Sequence, residues 1–285
     1  RGRKTDLRQN IHVYHFGRLN LLGAIYDGKR EYIFNALHAN VFEPDRDFKY
    51  LIAKVEELIV KDEVFVYGTL VKYKELLEGV IVDEYRKELV EGGLPDGLLA
   101  ESKFLHYKSS VVAYRPIASR ISDRQFRTLF ARLIQAGRNN LMVSADVESI
   151  DEELQILEAL NELVTIDRII IDLHPTNPSN REIYSSIDER LKRLQAERMR
   201  QTIEAKEGGL NKNAIKEDDT YRGIVMATDG YGWARVDGVN KEGRQVQINT
   251  DDSPTTARVT DFENPRLVLE SLLSTFTRIW ARMQQ

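Results

Sequence analysis

The sequence predicts an α+β fold: a mixed sheet with packed helices, a long connecting helix, and a small C-terminal β-meander closed by a helix. Three observations predict it. Residues 104–173 alternate strand, helix, strand, helix, strand by their hydrophobic period. Residues 179–207 form one amphipathic-to-polar run with a capping signal at its start and Gly208-Gly209 at its end. Residues 223–249 break into short apolar runs around Asp229-Gly230 and Gly243. The expected organisation is a body over residues 1–178, a connecting helix over 179–210 and a C-terminal unit over 211–285.

Taken in order, Arg1, Arg3, Lys4 and Arg8 make a basic arm without the apolar run of a signal peptide. Residues 11–19 mix β-branched and aromatic residues and predict a strand. Apolar residues at 48, 51, 52, 55, 58 and 59 are at helical spacing and predict a helix over 48–60. Residues 63–73 are a valine- and aromatic-rich strand. A further strand ends at residues 111–114. Ser122 is an N-cap for a helix through Ala136, with Phe126, Leu129, Phe130, Leu133 and Ile134 on one face and Gly137 after it. Residues 141–147 predict a strand, and 151–163 an amphipathic helix with Leu154, Leu157, Leu160 and Leu163 inward. Residues 166–173 predict the strand that leads into the connecting helix.

Ser179 with Glu182 three residues on has capping-box spacing, in which each side chain takes the other's free N–H. The apolar line Ile183, Ile187, Leu191, Leu194 thins after Leu194, so the second half of this helix is expected to bridge or to pair with another chain. Residues 223–227, 232–237 and 244–249 predict the three strands of the meander. Asn264-Pro265 starts a last helix.

Composition bounds the function. The chain has 285 residues, net charge −4 and no cysteine. A uniformly basic nucleic-acid binder is excluded, as are disulfide frameworks and cysteine-ligated metals, and the cytoplasm is the expected compartment. No apolar run is long enough for a membrane helix. There is no Walker A loop, no G-x-G-x-x-G after a strand, no G-x-S-x-G and no H-E-x-x-H. No cofactor is expected.

Several constellations bear on chemistry. Arg115, Arg120, Arg124, Arg127, Arg132 and Arg138 face a single acid, Asp123, within residues 115–138. Positions 120, 124 and 127 have helical i, i+4, i+7 spacing, and guanidinium forks suit phosphate. The alternative is a solvated face paired with carboxylates elsewhere. Asp146 and Glu148 close one strand; Asp172 and His174 close the next. At i, i+2 each pair shares a face. If the strands run parallel, all four meet at one sheet edge and can hold Mg²⁺ or activate water. The alternative is loop polarity and helix capping. His12 and His15 face opposite ways on one strand. Tyr221, Tyr231 and Trp233, near Arg222 and Arg235, suit either base stacking or packing within the C-terminal unit.

The strand VFVYGTLVKY (64–73), the block FLHYKSSVVAYRPIASRISDRQFRTLFARLI (104–134), IIIDLHPTNPS with the run that ends in GGL, and DGYGWARVDGVNKEGRQVQINTDDSPT (229–255) together resemble a bacterial family of unknown function met in phage-defence loci. More loosely, the order of elements is similar to the lambda phage abortive-infection protein RexA and the B subunit of the Kiwa defence system. This resemblance implies a cytoplasmic defence or sensing protein without an established catalytic centre.

The expected function is therefore a non-catalytic, nucleic-acid-binding sensor or regulatory component of an anti-phage system. Its expected partners are a nucleic acid, DNA foremost, and a second copy of the chain or a defence subunit, without direct membrane insertion. The alternatives are a metal-dependent nuclease or phosphohydrolase using Asp146, Glu148, Asp172 and His174, and a structural scaffold.

Overall fold

The structure, a computed structural model, describes residues 11–23, 28–45, 47–74, 82–83, 88–89, 97–107, 110–137, 143–176, 181–260 and 263–284. The basic arm, Arg138 and Ser179 lie outside the described residues. The N-terminal elements are β1 (His12–Gly23), α1 (Lys29–His38), β2 (Phe42–Asp45), β3 (Phe48–Val60), β4 (Glu63–Tyr73), the two-residue strands β5 (Val82–Asp83) and β6 (Glu88–Leu89), β7 (Leu98–Tyr107) and β8 (Val111–Tyr114). Next come α2 (Asp123–Ala136), β9 (Val143–Ser149), α3 (Glu153–Glu162), β10 (Leu163–Leu173), α4 (Ser185–Arg193) and β11 (Met199–Glu204). The chain ends with α5 (Lys212–Glu217), α6 (Asp219–Thr228), β12 (Gly232–Asn240), β13 (Gln245–Asn249), β14 (Thr256–Val259) and α7 (Pro265–Arg282).

Two antiparallel sheets organise these elements in the expected α+β arrangement, but all pairs among the described residues are antiparallel, so neither sheet is mixed as predicted; β5 and β6 pair only with each other. The first runs β14-β1-β8-β7-β4-β3-β2, with β9 joined to β1. One face packs Val66, Leu70, Phe104 and Tyr114 under α1 and α2; the other packs Phe65, Tyr67, Leu105 and Tyr107 under α7. Alternate residues of β4 thus serve opposite cores, as the period of a strand demands. The second sheet runs β11-β10-β12-β13. Ile169, Ile171 and Leu173 of β10 and Ala234 and Val236 of β12 pack on one face under α3, α4 and α6. The C-terminal strands therefore belong to both sheets, and α7 follows them as expected.

Three predicted elements are different. Residues 48–60 are strand, not helix. A bulge between Ala53 and Glu56, with Lys54 at φ 53°, breaks the two-residue alternation and leaves apolar residues at helix-like spacing. Residues 223–227 are the buried interior of α6 rather than a strand. Asp218 caps that helix, its carboxylate accepting from the Thr220 N–H at 2.8 Å. The long connecting helix does not exist. A 3-10 turn over Glu182–Tyr184 leads into α4, which ends near Leu194, and Gln195 at φ 52° turns the chain back. Residues 199–204 then pair antiparallel with β10 as β11. The thinning apolar line is that of an edge strand, whose backbone finds its partners in β10 instead of within a helix. Gly208 and Gly209, both at positive φ, shape the return toward Ile166, not a helix cap. The bare half-helix on which a scaffold role rested is a paired strand. In α3, Ile156 and Leu160 are the buried residues, while Leu154 is exposed. Among the described residues no helix is long and apolar enough to cross a membrane.

A buried charge network ties the two sheets together. Arg18 of β1 is fully buried; its Nε donates to the Asp229 carbonyl at 2.6 Å, and its guanidinium lies 4.1 Å from the centre of the Tyr231 ring. The Asp229 carboxylate, also fully buried, meets Arg181 Nη1 at 3.0 Å and Arg282 Nε at 2.8 Å, and accepts from the Tyr184 hydroxyl at 3.0 Å. Strand β1, the turn into β12, the start of α4 and the end of α7 thus converge on one residue.

Helix α2 is anchored at its first residue. Ser122 and Gln125 make a reciprocal capping box. Asp123 accepts from Tyr114 at 2.7 Å, pairs with His15 Nδ1 at 2.8 Å and takes Arg127 Nε at 3.0 Å. Burial alone would raise its pKa, but the His15 and Tyr114 hydrogen bonds and the Arg127 charge hold it down to about 2.

Asp229→Ala leaves the half-buried Arg282 without its carboxylate and Arg181 with Glu153 alone, so we expect a loss of about 3 kcal/mol, measured by urea unfolding. A loss below about 1 kcal/mol would show that the network is not a stability determinant. Because the folded pKa of Asp123 lies below its unfolded value, its contribution is complete above about pH 4 and disappears as pH falls toward 2. Asp123→Asn is therefore expected to flatten the acid side of the stability profile; a slope equal to wild type would remove Asp123 from the acid response.

Candidate functional site

Strand β9 runs antiparallel to the second half of β1. Val143 and Val147 point into the core, so Asp146 and Glu148 emerge together on the other side. His174 follows the last residue of β10, and its backbone N–H donates to the Tyr231 carbonyl at 2.9 Å. The strands are not parallel neighbours of one sheet, as the sequence argument had supposed, yet three of its four residues still meet. Ligand atoms of Asp146, Glu148 and His174 lie within 4.8 Å of one another.

Their partners set the chemistry. Asp146 Oδ1 accepts from Asn20 Nδ2 at 2.9 Å, and Asp146 Oδ2 lies 2.8 Å from His174 Nε2. His174 is almost fully buried, with Nδ1 3.2 Å from the Glu197 carbonyl. A proton on Nδ1 satisfies that carbonyl and leaves the Nε2 lone pair for a ligand, the usual arrangement of a metal-binding histidine. Two ligand atoms at this separation suit adjacent positions on one ion, which are about 3 Å apart for bonds of about 2.1 Å. Burial opposes the charge on His174, but the hydrogen bond and charge of Asp146 outweigh it and raise its pKa. Burial and the Asp146 charge push Glu148 up to about 7. Two carboxylates held this close favour neutralising partners; His174 and Arg127 supply part of that charge, and a divalent cation would supply more.

Asp172 is not part of the group. It is buried and forked by Arg198, with Nη2 to Oδ2 at 2.8 Å and Nε to Oδ1. The strand ends at Leu173, so the i, i+2 rule that would align Asp172 with His174 does not carry past it.

The arginines divide. Arg124, Arg127 and Arg132 line a cavity of about 490 Å³ together with Asp146, Glu148, Trp233 and Asp251. Arg127 is buried and holds three acids: Asp123 at 3.0 Å, Asp251 at 2.8 Å and Glu148 at 3.5 Å. Arg124 is exposed and has no hydrogen-bond or ion-pair partner among the described residues. Arg132 is half exposed, 3.5 Å from Glu43. Arg120 precedes the helix, so it does not share the expected stripe, and its Nη1 donates to the Leu99 carbonyl at 2.6 Å. Arg115 contacts His12 at 3.0 Å. The arginine and carboxylate constellations, read separately in the sequence, therefore confront each other across one cavity. Asp251, Asn20 and Arg198 had no signal in the sequence; only the crossing of the sheets brings them here.

A search of curated proteins finds no match. Residues 16–274 match the profile of a family described as a domain of unknown function (DUF4747). That span takes in both sheets and every residue of the cavity, and the expectation of a family of unknown function is met to this extent. The chain belongs to the DUF4747 family.

Proposed function

We propose that the protein is a divalent-metal-dependent phosphodiesterase acting on nucleic acid. The observation that carries this reading is that Asp146 and Glu148 share the wall of one cavity with Arg124, Arg127 and Arg132, while the buried His174 meets the two carboxylates from behind that wall. Asp146, Glu148 and His174 would hold a divalent cation, which would supply Lewis acidity toward a phosphate oxygen and a more acidic water. In the hydrolysis this site would serve, a water oxygen would bond to phosphorus, the bond to the sugar oxygen would break, and that oxygen would take a proton from solvent. Arg124 and Arg132 neutralise the non-bridging oxygens, while Arg127, fixed by three acids, holds the wall in place. The resemblance to a family met in phage-defence loci implies a defence or sensing role, and an anti-phage setting is proposed on that resemblance alone.

A second reading keeps the nucleic-acid contact and omits the chemistry: a sensor or regulatory component of a defence system. It is favoured by the 2.8 Å contact between Asp146 and His174, whose pKa Asp146 raises, so that the two groups can satisfy each other without a cation. The exposed Arg124 then contributes a phosphate contact and no catalysis.

Saturating Mn²⁺ is expected to raise the thermal midpoint of the wild type, since an ion that binds only the folded chain stabilises it by about 2.7 kcal/mol at a hundred times its Kd. Asp146→Asn and His174→Ala should abolish that rise. No shift with Mn²⁺, Mg²⁺, Ca²⁺ or Zn²⁺ would remove the metal site. With metal, end-labelled oligonucleotides should be cleaved, and Glu148→Gln should slow cleavage by about a hundredfold or more. Arg124→Glu with Arg132→Glu should weaken oligonucleotide binding and lower its salt slope by roughly two. Binding without cleavage under every metal selects the sensor reading. Binding that survives the arginine changes would take the phosphate away from this wall.

A further inference from the structure

The second sheet has one face under helices and one that carries polar and aromatic side chains. On the uncovered face the register puts Arg200, Asp172 and Trp233 in one row, and Thr202, Ile170, Arg235 and Asn249 in the next. The first row abuts the cavity, because Trp233 is part of its wall together with Asp146 and Glu148.

Trp233 has no structural role that accounts for it. The chain's other tryptophan, Trp280, packs against the core beneath α7, its ring 6.1 Å from that of Tyr107. Trp233 belongs to none of the hydrophobic clusters among the described residues, and it is only partly buried. Its neighbour across the sheet is a cation: the Arg200 guanidinium carbon lies 5.6 Å from the indole centre. Arg200 is itself exposed and has no carboxylate partner among the described residues. An indole that shares the wall of a 490 Å³ cavity with Arg124 and lies beside Arg200, neither arginine having a carboxylate partner among the described residues, offers a flat apolar surface bordered by anion contacts. Thr202 and Asn249 in the adjoining row add hydrogen-bonding groups.

The geometry points to a single-stranded polynucleotide as the ligand of this site, with one base stacked on Trp233 and its adjoining phosphate between Arg124 and the Asp146–Glu148–His174 group. In a duplex each base is already stacked and paired, so its face is closed to the indole; in a single strand the face is free. The chemistry is common to DNA and RNA, since stacking uses the base and the arginines use the phosphate. This inference rests on the proposed phosphate site and specifies what that site selects.

The test measures binding in EDTA, where cleavage plays no part. Labelled oligo-dT, oligo-U and a blunt DNA duplex of equal length are titrated against the full chain by fluorescence anisotropy. Wild type is expected to bind at least one of the two single strands about tenfold tighter than the duplex. Trp233→Ala should lose about tenfold on that strand, the scale of one lost base stack, and leave the duplex unchanged. Trp233→Phe keeps a stacking ring and should retain most of the affinity; both variants are checked for wild-type unfolding midpoints. The oligo-dT and oligo-U arms show which polymer is preferred, and preference for either supports the inference. Duplex binding as tight as single-strand binding, an unchanged affinity in Trp233→Ala, or equal losses in Ala and Phe would each overturn it while leaving the phosphate site standing. If wild type binds none of the three, the phosphate site itself fails and the inference with it.

Discussion

The fold depends on a charge buried where the two sheets meet. Asp229 sits in the turn between α6 and β12 with no exposed surface, and three cationic or hydroxyl groups from distant parts of the chain point at its carboxylate. Hydrophobic contact can press two sheets together in many registers. A desolvated carboxylate between Arg181 and Arg282, with its own carbonyl taken by Arg18, has its charge balanced in few. Gly230, one residue on, is held at φ 79° with space for no side chain, since a Cβ there would come within 2.7 Å of the Arg18 side chain. The turn is therefore fixed sterically as well as electrostatically, and the start of β12 follows from it.

That placement makes the candidate site. Asn20 of β1 donates both to Asp146 and to the Gly230 carbonyl, so the same turn that anchors the sheets also orients a ligand. His174 is set by its backbone bond to Tyr231, in the first turn of chain after Gly230. Each side of the cavity thus inherits its position from the sheet junction. Arg127 performs the matching task for α2, spending its three hydrogen-bonding directions on Asp123, Glu148 and Asp251.

Local signals were legible in the sequence wherever local chemistry decided the outcome. Ser122 with Gln125 marks the start of α2, Asn264 with Pro265 that of α7, and the apolar strands 63–73 and 166–173 are where they were expected. Reading failed where pairing overrode pattern. The bulge at Lys54 disguised β3 as a helix, and the polar run 199–204 had no apolar stripe to show that it would lie along β10. For the site, residue types at strand ends identified Asp146, Glu148 and His174. Asp172 was grouped with them because a sequence shows spacing and not the arginine waiting across the strand. Arg120, Arg124 and Arg127 read as one stripe because nothing in their spacing tells that Arg127 turns inward.

The turn between α4 and β11 has a wider significance. Its Glu197 carbonyl orients His174, and the next residue, Arg198, neutralises Asp172. Both depend on β11 staying in register, and β11 is an edge strand with exposed side chains and a single neighbour. Edge strands open at lower free energy than the interior of a sheet. A brief fraying of this one strand would release the imidazole and uncover a carboxylate in the same event. The surroundings of His174 and Asp172 are thus linked to an edge strand of the second sheet, and a disturbance of that strand would reach both side chains.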